Sequence, residues 1–222
     1  MSPSQEYARQ QMIEQQVRTW EVLDSTVLAV LGRVHRENFV PSAFRGVAFA
    51  DSNVPLGHGQ CMLAPKIDGK ILQALDIKNG DTVLDVGTGS GFLAACLARL
   101  SERVHSIEIF PDLAELAAAN LHAAAINNCI VSVADATQLA DEDRYDAIAV
   151  TSSLPTLSPL KDSPFARALK VGGRLFLIVG ATPVMEALKI TRIAQHEWRQ
   201  EVLFETVVSS LVNAVQPSHF VF

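Results

Sequence analysis

Asp85 stands two residues before the run Gly87-Thr88-Gly89-Ser90-Gly91, and two more acids, Glu108 and Asp135, follow at the ends of later apolar runs. Glycines at alternate positions permit a tight turn and let the backbone come close to a ligand. Val83 to Val86 before the loop reads as a strand and Phe92 to Leu100 after it as a helix. The loop therefore falls where open α/β sheets bind ligands, beyond the carboxyl ends of their strands. A nucleotide-like cofactor is implied, and charge narrows which. Dinucleotide sites use G-x-G-x-x-G and set a pyrophosphate on the helix N-terminus. This loop is G-x-G-x-G, and Asp85 would repel a pyrophosphate. S-adenosylmethionine carries an ammonium and a sulfonium and no phosphate, so Asp85 can attract its amino end while the loop amides meet its carboxylate. From Glu108 a carboxylate can accept both ribose hydroxyls, and from Asp135 the adenine amino group. Singly, a strand-end acid is as readily a solvated residue or a helix cap. Three at successive strand ends beside one glycine loop point to the cofactor.

These residues need a frame. After Gly80 strand and helix alternate: Thr82 to Val86, Phe92 to Leu100, Val104 to Ile109, Asp112 to Ala125, Ile130 to Ala134, Tyr145 to Val150. Such alternation predicts a doubly wound α/β fold with a mostly parallel, seven-stranded sheet covered on both faces. A short helix from Phe165 to Leu169, a turn at Val171-Gly172-Gly173 and a strand from Arg174 to Val179 continue it. Leu188 to Ile193 and Val202 to Val208, separated by polar Gln195 to Gln200, predict a closing antiparallel hairpin. Before residue 80 the period is helical. Ala8, Met12, Ile13, Val17 and Trp20 mark one amphipathic helix, Val27, Val30, Leu31 and Val34 a second, and Ile67, Ile71 and Leu75 a third. Phe49 to Pro65, rich in Gly and Pro, reads as a long loop. The expected division is a helical extension with an acceptor-side loop over 1–79 and a cofactor fold over 80–222.

Composition limits the rest. The 222 residues are 49% hydrophobic and only 19% charged, and 18 Lys+Arg against 24 Asp+Glu leave a formal charge of −6. Disorder and a basic nucleic-acid footprint are therefore disfavoured. No apolar run approaches the roughly 18 residues of a membrane span, and Met1 to Gln16 is polar, so a cytoplasmic protein without membrane or nucleic-acid partners is expected. The three cysteines, Cys61, Cys96 and Cys129, are too widely spaced for a CxxC or Cys/His zinc pattern, and no metal is expected. Oligomeric state is not legible, and the terminal Pro217 to Phe222, with two aromatics, could dock on the body or on a second subunit.

At the glycine loop and its acids the chain resembles class I S-adenosylmethionine-dependent methyltransferases. Upstream, Val34-His35-Arg36-Glu37-Asn38-Phe39-Val40-Pro41, Ala48-Phe49-Ala50-Asp51 and Pro55-Leu56-Gly57-His58-Gly59-Gln60 resemble the N-terminal extension of protein-L-isoaspartate O-methyltransferases, and Tyr145 to Thr151 resembles that family's strand before its substrate-facing loop. The resemblance implies methylation of a carboxylate in damaged proteins, a protein or peptide acceptor, cofactor contacts from Asp85, Gly87, Thr88, Gly89, Ser90, Gly91, Glu108 and Asp135, and substrate-side roles for Gly59, Gln60 and Thr151.

Two positions depart from the pattern. After Gly-Gln the family continues with Thr, a β-branched residue, Ser, a variable residue and Pro, the Ser being its active-site residue. Here the stretch is Cys61-Met62-Leu63-Ala64-Pro65, so Cys61 holds the Thr position and Leu63 the Ser position. The run after the last strand, Val208-Ser209-Ser210-Leu211, also lacks the family's proline. Leucine cannot donate a hydrogen bond to the acceptor, so weakened isoaspartyl activity, a different and more apolar acceptor, or a non-catalytic S-adenosylmethionine-binding protein are the alternatives. His58 and Cys61 as a base and nucleophile pair are disfavoured, because no acid near in sequence would orient the imidazole.

Overall fold

The computed structural model describes residues 3–157 and 160–215, so the aromatic tail at 217–222 lies outside the described residues. Helix α1 (Pro3–Met12) does not run on unchanged to Trp20. It passes into a π turn over Ile13–Val17 and a 3-10 turn over Arg18–Trp20. The wider i→i+5 turn brings Met12 and Val17, both buried, closer to one face than an α-helix would. Helix α2 (Ser25–Arg33) starts at Asp24, whose side chain accepts the N–H groups of Thr26 and Val27.

The expected loop at 49–65 contains a two-stranded hairpin, β1 (Val54–Gly57) and β2 (Gln60–Met62). Its turn runs through Gly57, His58 and Gly59 at φ of 106°, 52° and 69°. Two of these three left-handed residues are glycine, which explains why the sequence read as a loop. Helix α3 (Pro65–Leu75) follows with proline in its first turn.

The alternating half is β3 (Thr82–Val86), α4 (Phe92–Leu100), β4 (Arg103–Glu108), α5 (Pro111–Ala123), β5 (Cys129–Val133), β6 (Tyr145–Leu154), α6 (Pro164–Ala168), β7 (Leu169–Ala181), β8 (Val184–Ala194) and β9 (Glu197–Thr206). Among the described residues these strands form one seven-stranded sheet in the order β5-β4-β3-β6-β7-β8-β9. The β3 to β7 pairings are parallel, and β8 is antiparallel to both of its neighbours. Strand β3 sits where the order reverses, between β4 and β6. That is the crevice in which doubly wound sheets take ligands.

Two local differences from expectation have clear causes. Val171-Gly172-Gly173 is not a turn ahead of a strand but a bulge inside β7, where pairing jumps from Tyr145↔Leu169 to Ala147↔Arg174 and Gly172 takes φ 84°. The closing hairpin is longer than its apolar runs, because the polar residues from Glu197 onward lie on the exposed face of edge strand β9. Burial on both sheet faces accounts for the unbroken apolar strands. Val83 packs into a core shared with Val17, Leu31 and Ile71 of the N-terminal extension, whereas Leu84 and Val86 enter a second core with Ile148 and Leu177.

Candidate active site

Three parallel strands deliver the cofactor-side residues. The loop after β3 turns at Gly87, with φ 91°, and a Cβ there would lie 2.5 Å from Thr151 Oγ1. That close approach is used: the Thr151 hydroxyl donates to the Val86 carbonyl at 2.9 Å and fixes the loop. Beneath the loop, the Ser106 hydroxyl donates to Asp85 Oδ2 at 2.7 Å and lies 2.6 Å from Thr88 Oγ1. Strand register makes this chain possible, since Asp85 pairs directly with Ser106 across β3 and β4. Asp85 Oδ1 is buried without a partner. Burial pushes the Asp85 carboxyl up to about 7 against the Ser106 hydrogen bond, with the charges of Glu108 and Asp68 adding to the rise.

Glu108, at the end of β4, clamps the loop from the side. Its Oε2 accepts the Gly89 N–H at 2.9 Å, and its Oε1 accepts those of Ile109 and Phe110 at 2.9 and 3.1 Å. Asp135 follows β5. Its Oδ1 accepts the N–H and hydroxyl of Thr137, and its Oδ2 accepts Asn213 Nδ2 at 2.9 Å. Desolvation would raise this carboxyl, but the bonds from Thr137 and Asn213 outweigh it and hold it below the usual range.

An open cleft brings Gly87, Gly89, Glu108, Asp135 and Thr151 together with Gln60, Cys61 and Leu63 of the acceptor side. A smaller chamber behind it, between α3 and the start of α4, is lined by Thr88 and Ser90 with Asp68, and shares Cys61 and Leu63 with the main cleft. Three expected residues line neither space. Asp85 lies beneath the loop. Gly91 faces away, where a Cβ would meet Ala117 of α5 at 3.2 to 3.3 Å. Gly59 contributes its carbonyl, which accepts the Ser209 hydroxyl at 3.0 Å and ties the hairpin to the C-terminal segment.

Several residues near the site escaped the sequence. Leu56, on the hairpin, reaches over Gly89. His58 does have an acid: its Nε2 lies 2.9 Å from Asp112 Oδ2, and its ring stacks on Phe110 at 4.2 Å. This pair faces α5 and lines neither space, and burial pushes the Cys61 thiol upward despite the Ser209 hydroxyl beside it. A thiolate held ready by His58 is thus not what the geometry provides. Arg36 is buried among the cores. Its Nε donates to the Ala48 carbonyl, its Nη1 to Asp68 Oδ2 at 2.7 Å and its Nη2 to the Leu63 carbonyl. One signal for Asp68 was available, because it shares a helix face with Ile71, Leu72 and Leu75, all of them buried.

Comparison with known proteins decides the family. The model described as Protein-L-isoaspartate(D-aspartate) O-methyltransferase matches residues 7–215. The chain belongs to this family. Protein-L-isoaspartate O-methyltransferase 2 of Pelobacter propionicus is 36% identical over 213 residues, covering 95% of this chain and 93% of the relative. A protein-L-isoaspartate O-methyltransferase of Methanoculleus marisnigri is 37% identical, covering 83% and 82%. In fold, the chain resembles a Plasmodium falciparum beta-aspartate methyltransferase solved in complex with S-adenosyl-L-homocysteine, with a TM-score of 0.78 at 22% identity, covering 91% of this chain and 97% of that one. As a protein-L-isoaspartate O-methyltransferase family member, the chain is an S-adenosylmethionine-dependent methyltransferase, the class that its loop and acids predict. On the acceptor side of the cleft, Leu63 is 7% exposed.

Proposed function

We propose that this chain methylates a carboxylate of a protein acceptor, the isoaspartyl group for which its family is named. The observation that carries this reading is one cleft in which the glycine loop, Glu108 and Asp135 face Gln60, Cys61 and Leu63. The residues fit S-adenosylmethionine. The loop approaches too closely for side chains at Gly87, and the buried acids Asp85, Glu108 and Asp68 suit a ligand with two cationic centres. When bound, the cofactor supplies an electrophilic methyl group on its sulfonium.

The chain's own residues then have defined tasks. Glu108, immobilised by three amides, remains an acceptor for hydroxyl donors. Asp135 stays ionised at the adenine end. Thr151 keeps the loop in shape. A carboxylate acceptor is already ionised at neutral pH, so orientation rather than proton removal is the main demand. Leu63 cannot give the hydroxyl contact of the family's serine. Such a loss costs about 1 to 3 kcal/mol, or roughly tenfold to more than a hundredfold in rate. Isoaspartyl methylation is therefore slow. Transfer of labelled methyl to an isoaspartyl peptide, with Gly89→Val as the blank, tests the reading, and no ester above that blank would refute it.

A second reading keeps the donor and changes the acceptor, because Leu63 and Met62 present buried apolar side chains at the acceptor position. The double substitution Cys61→Thr, Leu63→Ser separates the two. Isoaspartyl activity that appears only in the double variant would favour the divergent acceptor. We also infer a cytoplasmic workplace, supported by three unpaired cysteines, and a division of labour at about residue 80 between acceptor side and cofactor fold.

A further inference from the structure

We propose that Asp68 is the carboxylate that receives the ammonium of the cofactor's methionine end, an assignment that rests on S-adenosylmethionine being the ligand of this cleft. The sequence points to Asp85 for that task, but Asp85 lines neither the cleft nor the chamber, and Ser106 holds one of its oxygens from below. Asp68 lines the chamber together with Gly87, Thr88, Gly89 and Ser90 of the glycine loop. It is 3% exposed. Its Oδ2 pairs with Arg36 at 2.7 Å, and its Oδ1 has no hydrogen-bond partner among the described residues. Arg36 cannot reach in to fill the space, because its Nε and Nη2 are committed to the Ala48 and Leu63 carbonyls.

The charge balance favours a cation there. Asp68 and Asp85 lie close enough for Asp68 to raise Asp85, and burial lifts their carboxyls to about 6 and about 7, with Arg36 as the opposing charge on Asp68. Two buried acids against one buried arginine leave room for one more positive group. A primary ammonium, with three N–H donors, matches a free carboxylate oxygen. The first-turn amides of α4 border the same chamber and suit the carboxylate of the same amino-acid end.

A binding cycle between protein and ligand tests this by calorimetry, using S-adenosylhomocysteine, its deamino analogue and 5′-methylthioadenosine, which lacks the amino-acid end. Wild-type protein should bind the deamino analogue about thirtyfold more weakly than S-adenosylhomocysteine. In Asp68→Asn that penalty should shrink to less than about threefold, while methylthioadenosine affinity is unchanged. Asp85→Asn should keep the full penalty. Because Asp68→Asn leaves Arg36 with an uncompensated charge, the neutral pair Arg36→Gln, Asp68→Asn serves as the second variant and should lose the penalty likewise. A penalty that persists without Asp68, that vanishes in Asp85→Asn instead, or equal losses for all three ligands would overturn the assignment. Failure of the wild-type protein to bind S-adenosylhomocysteine at all would overturn the methyltransferase reading together with it.

Discussion

The cofactor side and the acceptor side of the cleft are held in place by different means. On the cofactor side, position comes from sheet register. Asp85 lies across from Ser106, Val86 from Ile107 and Glu108 from Val133, so the acids sit at fixed steps on neighbouring parallel strands. On the acceptor side, a small hairpin with three left-handed residues is tied to distant segments by side chains: His58 to Asp112, Gly59 to Ser209, and Leu63 through its carbonyl to Arg36. The first kind of placement is written in short motifs and tolerates little change. The second depends on long-range contacts that no short motif records.

The sharpest way to break the contrast is Arg36→Met. Removing the guanidinium leaves Asp68 buried and unpaired, and a loss of about 3 to 5 kcal/mol in urea unfolding is expected. A loss under about 1 kcal/mol would mean that the acceptor side does not depend on this tie. Gly87→Val tests the cofactor side. It places a side chain 2.5 Å from Thr151 Oγ1 at φ 91°, and S-adenosylhomocysteine affinity should fall by about a hundredfold or more while the fold persists.

Asp85→Asn has a smaller effect with a defined sign. The folded-state carboxyl sits at about 7, above its usual 3.8, so its contribution to stability is fully present below about pH 4 and is lost as pH rises through 7. The amide removes that loss. The variant should unfold with about 1 to 2 kcal/mol more stability than wild type at pH 8, and its stability should vary less between pH 4 and 8. Equal pH profiles would show that Asp85 is not the strained acid. The mildest change is His58→Ala, which opens the hairpin's exposed clasp on α5. Asp112, held below the usual carboxylate range chiefly by the His58 hydrogen bond, should titrate at a higher pH by NMR, and S-adenosylhomocysteine should dissociate about two- to threefold faster.

The same contrast governs what the sequence could reveal. Strand β3 and helix α4 fall on the boundaries expected for them, and β4, β5 and α5 within a residue or two, because two-sided burial yields unbroken apolar runs punctuated by glycine. The family pattern and the glycine loop were also legible. The hairpin was not, since its glycines and proline are equally the marks of a loop. The Arg36–Asp68 pair was not legible either, because only tertiary structure shows the pairing that permits their burial. His58 and Asp112 are 54 residues apart, beyond the reach of any local pattern. Asp85 was singled out by its place before the glycines, but the alternation of a strand sends its side chain under the loop, into a hydrogen bond with Ser106.

We propose that an intact cofactor side serves a carboxylate acceptor to which Leu63 offers no hydrogen bond. Initial rates of base-labile methyl ester formation on one isoaspartyl peptide, compared between the wild-type chain and Leu63→Ser at saturating S-adenosylmethionine, test it most directly. Measurable ester from the wild-type protein and an increase of about tenfold or more in the serine variant are expected. No ester from either protein, with cofactor binding intact, would contradict it.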